Sequence, residues 1–303
     1  MADHSIKRLV VMTLLLMGTV SCKRASGPEE AMSRVEKHLE WAQQERDVRL
    51  KRSLNLLKPF FARAKEGAHT FSEYALGWGS KGRLIKDCVP FTSHESNKKF
   101  LEAKFNEHIF SAKDLENAVR EVVTDYIRQI NDVDSQMLVR MRLDLAKLPE
   151  CPWPEVTSQD LFNDRFQHTM QAIQAKLGIQ IGTDVASMVA TELATQITMK
   201  VLQMAIVELG VEGGVLAAGA ASSWATLGVG LVIGIIVDKI LDWWMDPIGE
   251  LNKKLSKELD RLHELIVEGD GKEAGLRAKL QEYSKERAKL QRLTVLQMFQ
   301  MAH

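Results

Sequence analysis

Few residues in this sequence have the types and the spacing that chemistry requires. Residues 77–82 read GWGSKG and match the G-x-G-x-x-G pattern of dinucleotide-binding loops. That pattern binds a pyrophosphate only where a strand precedes it and a helix opens from it. Here a helical pattern precedes it and Pro90 follows soon after. We therefore interpret these glycines as part of a loop and predict no cofactor.

The histidines, cysteines and acids do not form a ligand pattern either. None of the eight histidines lies at a metal-ligand interval from another His or Cys. Asp132 and Asp134 resemble the start of a calcium loop but lack the glycine and the final glutamate that it requires. We predict that both face solvent on a helix. The sequence predicts no catalytic, cofactor-binding or metal site, and hence no enzyme.

The overall charge balance by itself decides nothing about partners. The chain has 40 basic and 40 acidic residues, so no global field attracts nucleic acid. Basic residues alternate with acids along the predicted helices, which is typical of solvated faces rather than of a nucleic-acid track. We predict neither a nucleic-acid partner nor a small-molecule substrate.

The first 22 residues have the layout of an export signal. A basic start precedes an apolar run at residues 9–17, and small residues lead up to Cys22. The final four letters, TVSC, resemble the lipobox of bacterial lipoproteins, and the resemblance implies that Cys22 carries a diacylglycerol. It covers residues 1–22 only and departs at Thr19, where that family usually has Leu. Plain cleavage after Ser21 and an uncleaved anchor therefore stay open, and the predicted location is the bacterial cell envelope, in association with a membrane.

Residues 215–237 form a stretch of 23 residues without a charge, in a chain of which 26% is charged. A bilayer's hydrocarbon core takes roughly 20 apolar helical residues to cross. The sequence therefore predicts a Gly/Ala-rich membrane segment over residues 201–245, with 215–237 as its span. Its candidate contact residues are glycines four apart, for helix packing, and an interfacial tryptophan pair: Gly210, Gly214, Gly230, Gly234, Trp243 and Trp244.

A single span is the first interpretation of this segment. Four lysines lie within residues 238–257, whereas residues 195–214 contain only Lys200. The positive-inside rule then places the C-terminal side in the cytoplasm. This topology agrees with an exported N-terminal part.

A helical hairpin and a soluble core are the two alternatives. In the hairpin, residues 201–221 and 225–244 are the arms and Trp224 lies near the tip. This layout resembles the helical pore-forming proteins of the hemolysin E type, in which a Gly/Ala-rich hairpin lies between long amphipathic helices, and it implies membrane insertion. Glu208 and Glu212 on the first arm would then need a polar face. In the soluble alternative, both arms are buried in a bundle.

The rest of the chain predicts an all-α fold, an elongated bundle of long helices. A first helix begins near Ser26 and is interrupted at Pro59. A second runs from about 95 to 148, and a third follows Ser158. The apolar positions of the second helix average 3.6 residues per turn: Ala112, Leu115, Val119, Val122, Tyr126, Ile130, Val133, Met137, Met141, Leu145 and Leu148.

Two details of this plan have structural consequences. A single helix from 95 to 148 would be roughly 80 Å long and would keep Cys88 and Cys151 too far apart for a disulfide. Residues 248–303 predict a C-terminal helical hairpin with its turn at 269–271. Further positions predicted to be buried include Leu161 in the third helix and, in the second arm of the hairpin, Leu293 and Leu296.

The sequence thus predicts an export signal at 1–22, a long-helix bundle at 23–200, the apolar segment at 201–245 and the hairpin at 248–303. The predicted function is that of a non-enzymatic, membrane-anchored envelope protein that acts through helix–helix contacts. The alternative is an α-helical protein that forms pores or inserts into membranes. Membrane lipid is the predicted partner, and a second copy of the chain or another helical protein is a candidate.

Overall fold

The computed structural model describes residues 27–76, 95–148, 154–177, 194–198, 200–201, 233, 236–237, 239–240, 248–271 and 274–301. These residues contain no named β-strand, and the predicted all-α fold is confirmed. The helices are α1 (Gly27–Leu54), α2 (Leu57–Leu76), α3 (Glu95–His108), α4 (Ala112–Leu145), α5 (Gln159–Leu177), α6 (Ile248–Glu268) and α7 (Leu276–Met301). A 3-10 turn at Pro154–Thr157 precedes α5.

The interruption predicted in the first helix is confirmed. α1 and α2 are separated by a turn at residues 55–56. Pro59 is the third residue of α2, where its missing N–H needs no partner because the first N–H groups of a helix have no intrahelical acceptor. The break therefore lies just before the proline.

The single long helix predicted over 95–148 is wrong, because the chain turns between α3 and α4. Ser111 begins α4 with a capping box, in which its hydroxyl accepts from the Asp114 N–H and the Asp114 carboxylate accepts from the Ser111 N–H at 2.9 Å. At the same turn Phe110 enters the core, with its ring 5.2 Å from that of Phe105. The argument against a disulfide loses its premise, and both cysteines concerned lie outside the described residues.

The apolar stripe predicted along α4 is confirmed. Its positions from Leu115 to Leu145 are buried, because helical spacing places them on one face. They contribute to two apolar cores. The upper core joins the end of α1, α2, α3, the first half of α4, α6 and the start of α7. The lower core joins the start of α1, the second half of α4, α5 and the end of α7.

The turn predicted at residues 269–271 is confirmed, since Gly269 and Gly271 both have positive φ, at 92° and 85°. The two helices that it joins, however, do not pack along each other as the predicted hairpin required. Along α1 and α2, Glu36 pairs with Arg292 at 2.6 Å and Lys65 with Asp260 at 2.7 Å. Partner numbers fall as the first helices advance, so α6 and α7 follow one another antiparallel to α1 and α2.

Three leucines predicted to be buried are exposed. Leu161 of α5 is 54% exposed, and Leu293 and Leu296 of α7 are also at the surface. The different placement of α7 explains the last two. Its buried face is the one that meets α1 and α5, where Leu290, Val295 and Met298 enter the lower core.

Gly67 lies where α2 meets the C-terminal end of α3. A Cβ at this position would lie 1.8 Å from the backbone oxygen of His108, which is far inside van der Waals contact. Gly249 of α6 has nothing within 4 Å of the same imagined atom. Both glycines belong to helices, Gly67 in the middle of α2 and Gly249 in the first turn of α6, and only Gly67 has a neighbouring backbone in the way of a Cβ.

We expect Gly67→Ala to lower the free energy of unfolding by about 1–3 kcal/mol, because the added methyl group must push α3 away. This loss would outweigh the gain of up to about 1 kcal/mol that alanine brings to a helix interior. Urea denaturation followed by circular dichroism measures it. Gly249→Ala is the matched control and should be neutral or stabilising. Equal stability of the two variants would contradict the close approach.

Candidate functional site

The site residues that the sequence predicts lie outside the described residues. These are the lipidation candidate, the packing glycines and the interfacial tryptophans: Cys22, Gly210, Gly214, Gly230, Gly234, Trp243 and Trp244. Glu208 and Glu212 lie outside them as well. All of these assignments stay predictions. The structure does describe residues just before the apolar segment at 201–245 and residues at both of its ends.

The two ends of the apolar segment, with the residues just before it, are here called its flanks, and both are buried in the upper core. On its N-terminal side these are Ala194, Ile197 and Val201, and on its C-terminal side Ile233, Ile236, Val237 and Ile240. Each is at most 6% exposed. Three of the second group belong to the predicted span 215–237. No helix among the described residues has the length and hydropathy of a membrane span.

A polar contact accompanies each flank. The Nη1 of Arg120 in α4 donates to Thr195 Oγ1 at 2.9 Å on the N-terminal side. On the C-terminal side, Lys239 Nζ donates to Glu258 Oε2 of α6, also at 2.9 Å. Both contacts are partly buried, so they are screened less than a surface pair would be. The two flanks are therefore attached to one and the same bundle.

A second feature, which the sequence analysis missed, is a buried ionic cluster of Arg46, Asp134, Arg287 and Gln291, here called the Arg46 cluster. Arg46 Nη2 donates to Asp134 Oδ1 and to Gln291 Oε1, and Arg287 Nε donates to Asp134 Oδ2. Arg46 is 0% exposed, Asp134 6% and Arg287 7%. The prediction that Asp134 faces solvent is wrong, whereas Asp132 is exposed as predicted.

The Arg46 cluster lies at the junction of the two cores. On α4, the last residue of the upper core is Ile130 and the first residue of the lower core is Val133. Asp134 directly follows Val133. On α1, Arg46 lies between Ala42 in the lower core and Leu50 in the upper. The sequence did contain a signal for this cluster. Arg46 lies four residues after Ala42 and four before Leu50, and positions four apart share a face of a helix, so a charged residue occupies the apolar face of α1.

The cluster has more positive than negative charge. Arg46 and Arg287 contribute two positive charges and Asp134 one negative charge. Burial acts to lower the pKa of Arg287, but the charge of Asp134 and the hydroxyl of Tyr283, 3.1 Å from Arg287 Nη1, outweigh it and raise that pKa. Burial raises the pKa of the neighbouring Tyr126 to about 12, so this phenol stays neutral and does not offset the excess.

We expect Asp134→Asn to lower the free energy of unfolding by about 3–5 kcal/mol, because two buried guanidinium groups lose their only shared carboxylate. Chemical denaturation is the measurement. Asp132→Asn is the matched control on the same helix, and should change stability by less than about 0.5 kcal/mol because the side chain is exposed. A similar small effect for both variants would show that water solvates the Asp134 position.

Neither feature brings a set of metal ligands together: within the described ranges, no three His, Cys, Asp or Glu side chains are close enough to hold an ion. The docked flanks are aliphatic, and the cluster is enclosed by helices. What these contacts can do is hold helices and an apolar segment in place.

A scan against protein-family models, a search of the curated proteins and a search of the solved structures each find no match to this chain.

Proposed function

We propose that this chain is an exported, non-enzymatic membrane protein of the bacterial envelope that enters a bilayer from one side with residues 201–245 as a helical hairpin. Insertion requires Val201, Ile233, Ile236, Val237 and Ile240 to leave the upper core, where they pack in this structure. The observation that supports the proposal most strongly is the packing of helices across the apolar segment. α6 and α7, which follow the segment, contact α2, α1 and α5, which precede it.

A single span would separate these helices by the thickness of a membrane. α6 would lose a fully buried leucine face, Leu251, Leu255, Leu259 and Leu262. Exposing such a side chain costs about 1.5–3 kcal/mol each. α7 would take Arg287 away from Asp134 and leave that carboxylate to Arg46 alone. A topology in which both ends of the segment stay on the same side keeps all of these contacts.

The composition of the segment favours insertion over a purely structural role. Its uncharged stretch is long enough to cross a bilayer, and the predicted tip contains Trp224, whose ring is best placed at an interface. The resemblance in layout to pore-forming proteins of the hemolysin E type supports the same function. A lipid on Cys22 would keep the bundle at a membrane.

The location of the C-terminus tests the topology. With an epitope tag after His303, we expect protease added to intact spheroplasts to digest the tag at once, because the hairpin returns the chain to the side of α1. A cytoplasmic protein probed in the same spheroplasts is the control for intact membranes. A tag that is protected until the membrane is broken would establish the single span and refute the proposal.

Dye release from liposomes tests insertion. We expect purified protein to release the dye, and the double substitution Gly230→Ile and Gly234→Ile to abolish release, because the bulky side chains prevent close helix approach. Gly249→Ile is the matched control, since that position has open space around it. No release by the unaltered protein, together with an accessible tag, would leave a soluble bundle and exclude insertion.

A further inference from the structure

Four lysines follow the apolar stretch within residues 238–257, and a hairpin leaves most of them without a role. In a single span they would mark the cytoplasmic side, whereas a hairpin keeps both ends of the segment on the side of α1. Lys239 is held in an ion pair with α6. The other three, Lys253, Lys254 and Lys257, belong to the first half of α6. Their position on this helix indicates a different use.

α6 directs a row of bases toward solvent, here called the basic face: Lys253, Lys257 and Arg261. All three are exposed, and they lie four residues apart, a spacing that places them on one side of a helix. Within the described part of the chain, neither Lys253 nor Lys257 has an ion-pair partner. The leucine face of α6 is packed in the upper core, so the basic face is directed away from the bundle.

The acids of α6 do not cancel the basic face. Two exposed acids, Glu250 and Glu264, lie at either end of the row. The other three acids of the helix are paired with bases of other elements: Glu258 with Lys239, Asp260 with Lys65 and Glu268 with Arg277. The four bases of α6 therefore face only two acids that have no partner on another element, and two positive charges remain in excess.

We propose that the basic face of α6 binds the anionic headgroups of a bilayer surface. This proposal rests on the membrane insertion proposed above, because it specifies the lipid that the bundle meets when residues 201–245 insert. The order of the sequence supports it, since the apolar stretch is followed by Trp243 and Trp244 and then by the lysines of α6. This order leads from hydrocarbon through the interface to the charged headgroups.

The distance from the segment to the basic face is short. α6 begins at Ile248, three residues after the segment ends. At 1.5 Å per residue, Lys253 lies about 8 Å and Lys257 about 14 Å beyond that start. The attraction of an anionic surface falls off within a Debye length, about 8 Å at physiological salt. Both lysines therefore reach the headgroups together when α6 lies along the bilayer surface with its basic face toward it.

Cosedimentation with vesicles tests the basic face. We expect the purified protein to bind vesicles of equal parts phosphatidylcholine and phosphatidylglycerol far more strongly than vesicles of phosphatidylcholine alone, and the difference to shrink as salt is added. Lys253→Gln with Lys257→Gln should weaken binding to the anionic vesicles by about 30-fold, because each lysine near such a surface contributes roughly fivefold. Lys253→Arg with Lys257→Arg keeps both charges and should keep the binding.

Lys285→Gln with Lys289→Gln on α7 is the matched control, since these two lysines are also exposed and four residues apart. This variant should bind the anionic vesicles as the unaltered protein does. Far-ultraviolet circular dichroism checks that each variant is folded. Equal binding of the unaltered protein to the two kinds of vesicle would overturn the proposal, and so would an equal loss of binding in the two glutamine variants.

Dye release from the same two kinds of vesicle separates this proposal from the one on which it rests. Equal release from both would keep insertion and overturn the role of the basic face. Binding to the anionic vesicles that depends on Lys253 and Lys257 but releases no dye would support the basic face and refute insertion.

Discussion

Asp134 has to neutralise two arginines that reach it from opposite ends of the chain. Arg46 is 88 residues before it and Arg287 is 153 residues after it. Apolar stripes alone tolerate a slip of one helical turn, because a leucine can replace a leucine in the same space. A buried carboxylate does not tolerate it, since either arginine left unpaired would cost several kcal/mol. We infer that this cluster fixes the register of α1, α4 and α7.

That register determines what happens to the apolar segment. With α7 fixed against α1, the preceding helix α6 has to continue along α2, where its leucine face completes the upper core. The flanks of the segment dock into this same core, with Arg120 and Glu258 as their polar contacts. Contacts within the bundle therefore decide that both ends of residues 201–245 start from the same set of helices.

Sequence periodicity predicts the helices of this fold better than their partners. The stripe of α4, the break before Pro59 and the glycine turn at 269–271 are local features, and each is where the sequence places it. The capping box at Ser111 is local too and was readable from Ser-x-x-Asp. The partner of α7 was not, because its stripe fits α6 or α1 equally well. The burial of Asp134 was not predicted for the same reason. A buried carboxylate is stable there only because α1 and α7 supply the two arginines that pair with it.

The two cores also limit how the proposed membrane contacts can be arranged. From Cys22 to Gly27, the start of α1, five residues span at most about 18 Å, so a lipid on Cys22 would hold the lower-core end of the bundle near the membrane. The flanks dock instead in the upper core, beside α2, whose 20 residues extend over about 30 Å. A bundle anchored through α1 that lies along the bilayer surface would bring both ends of residues 201–245 close to that same bilayer.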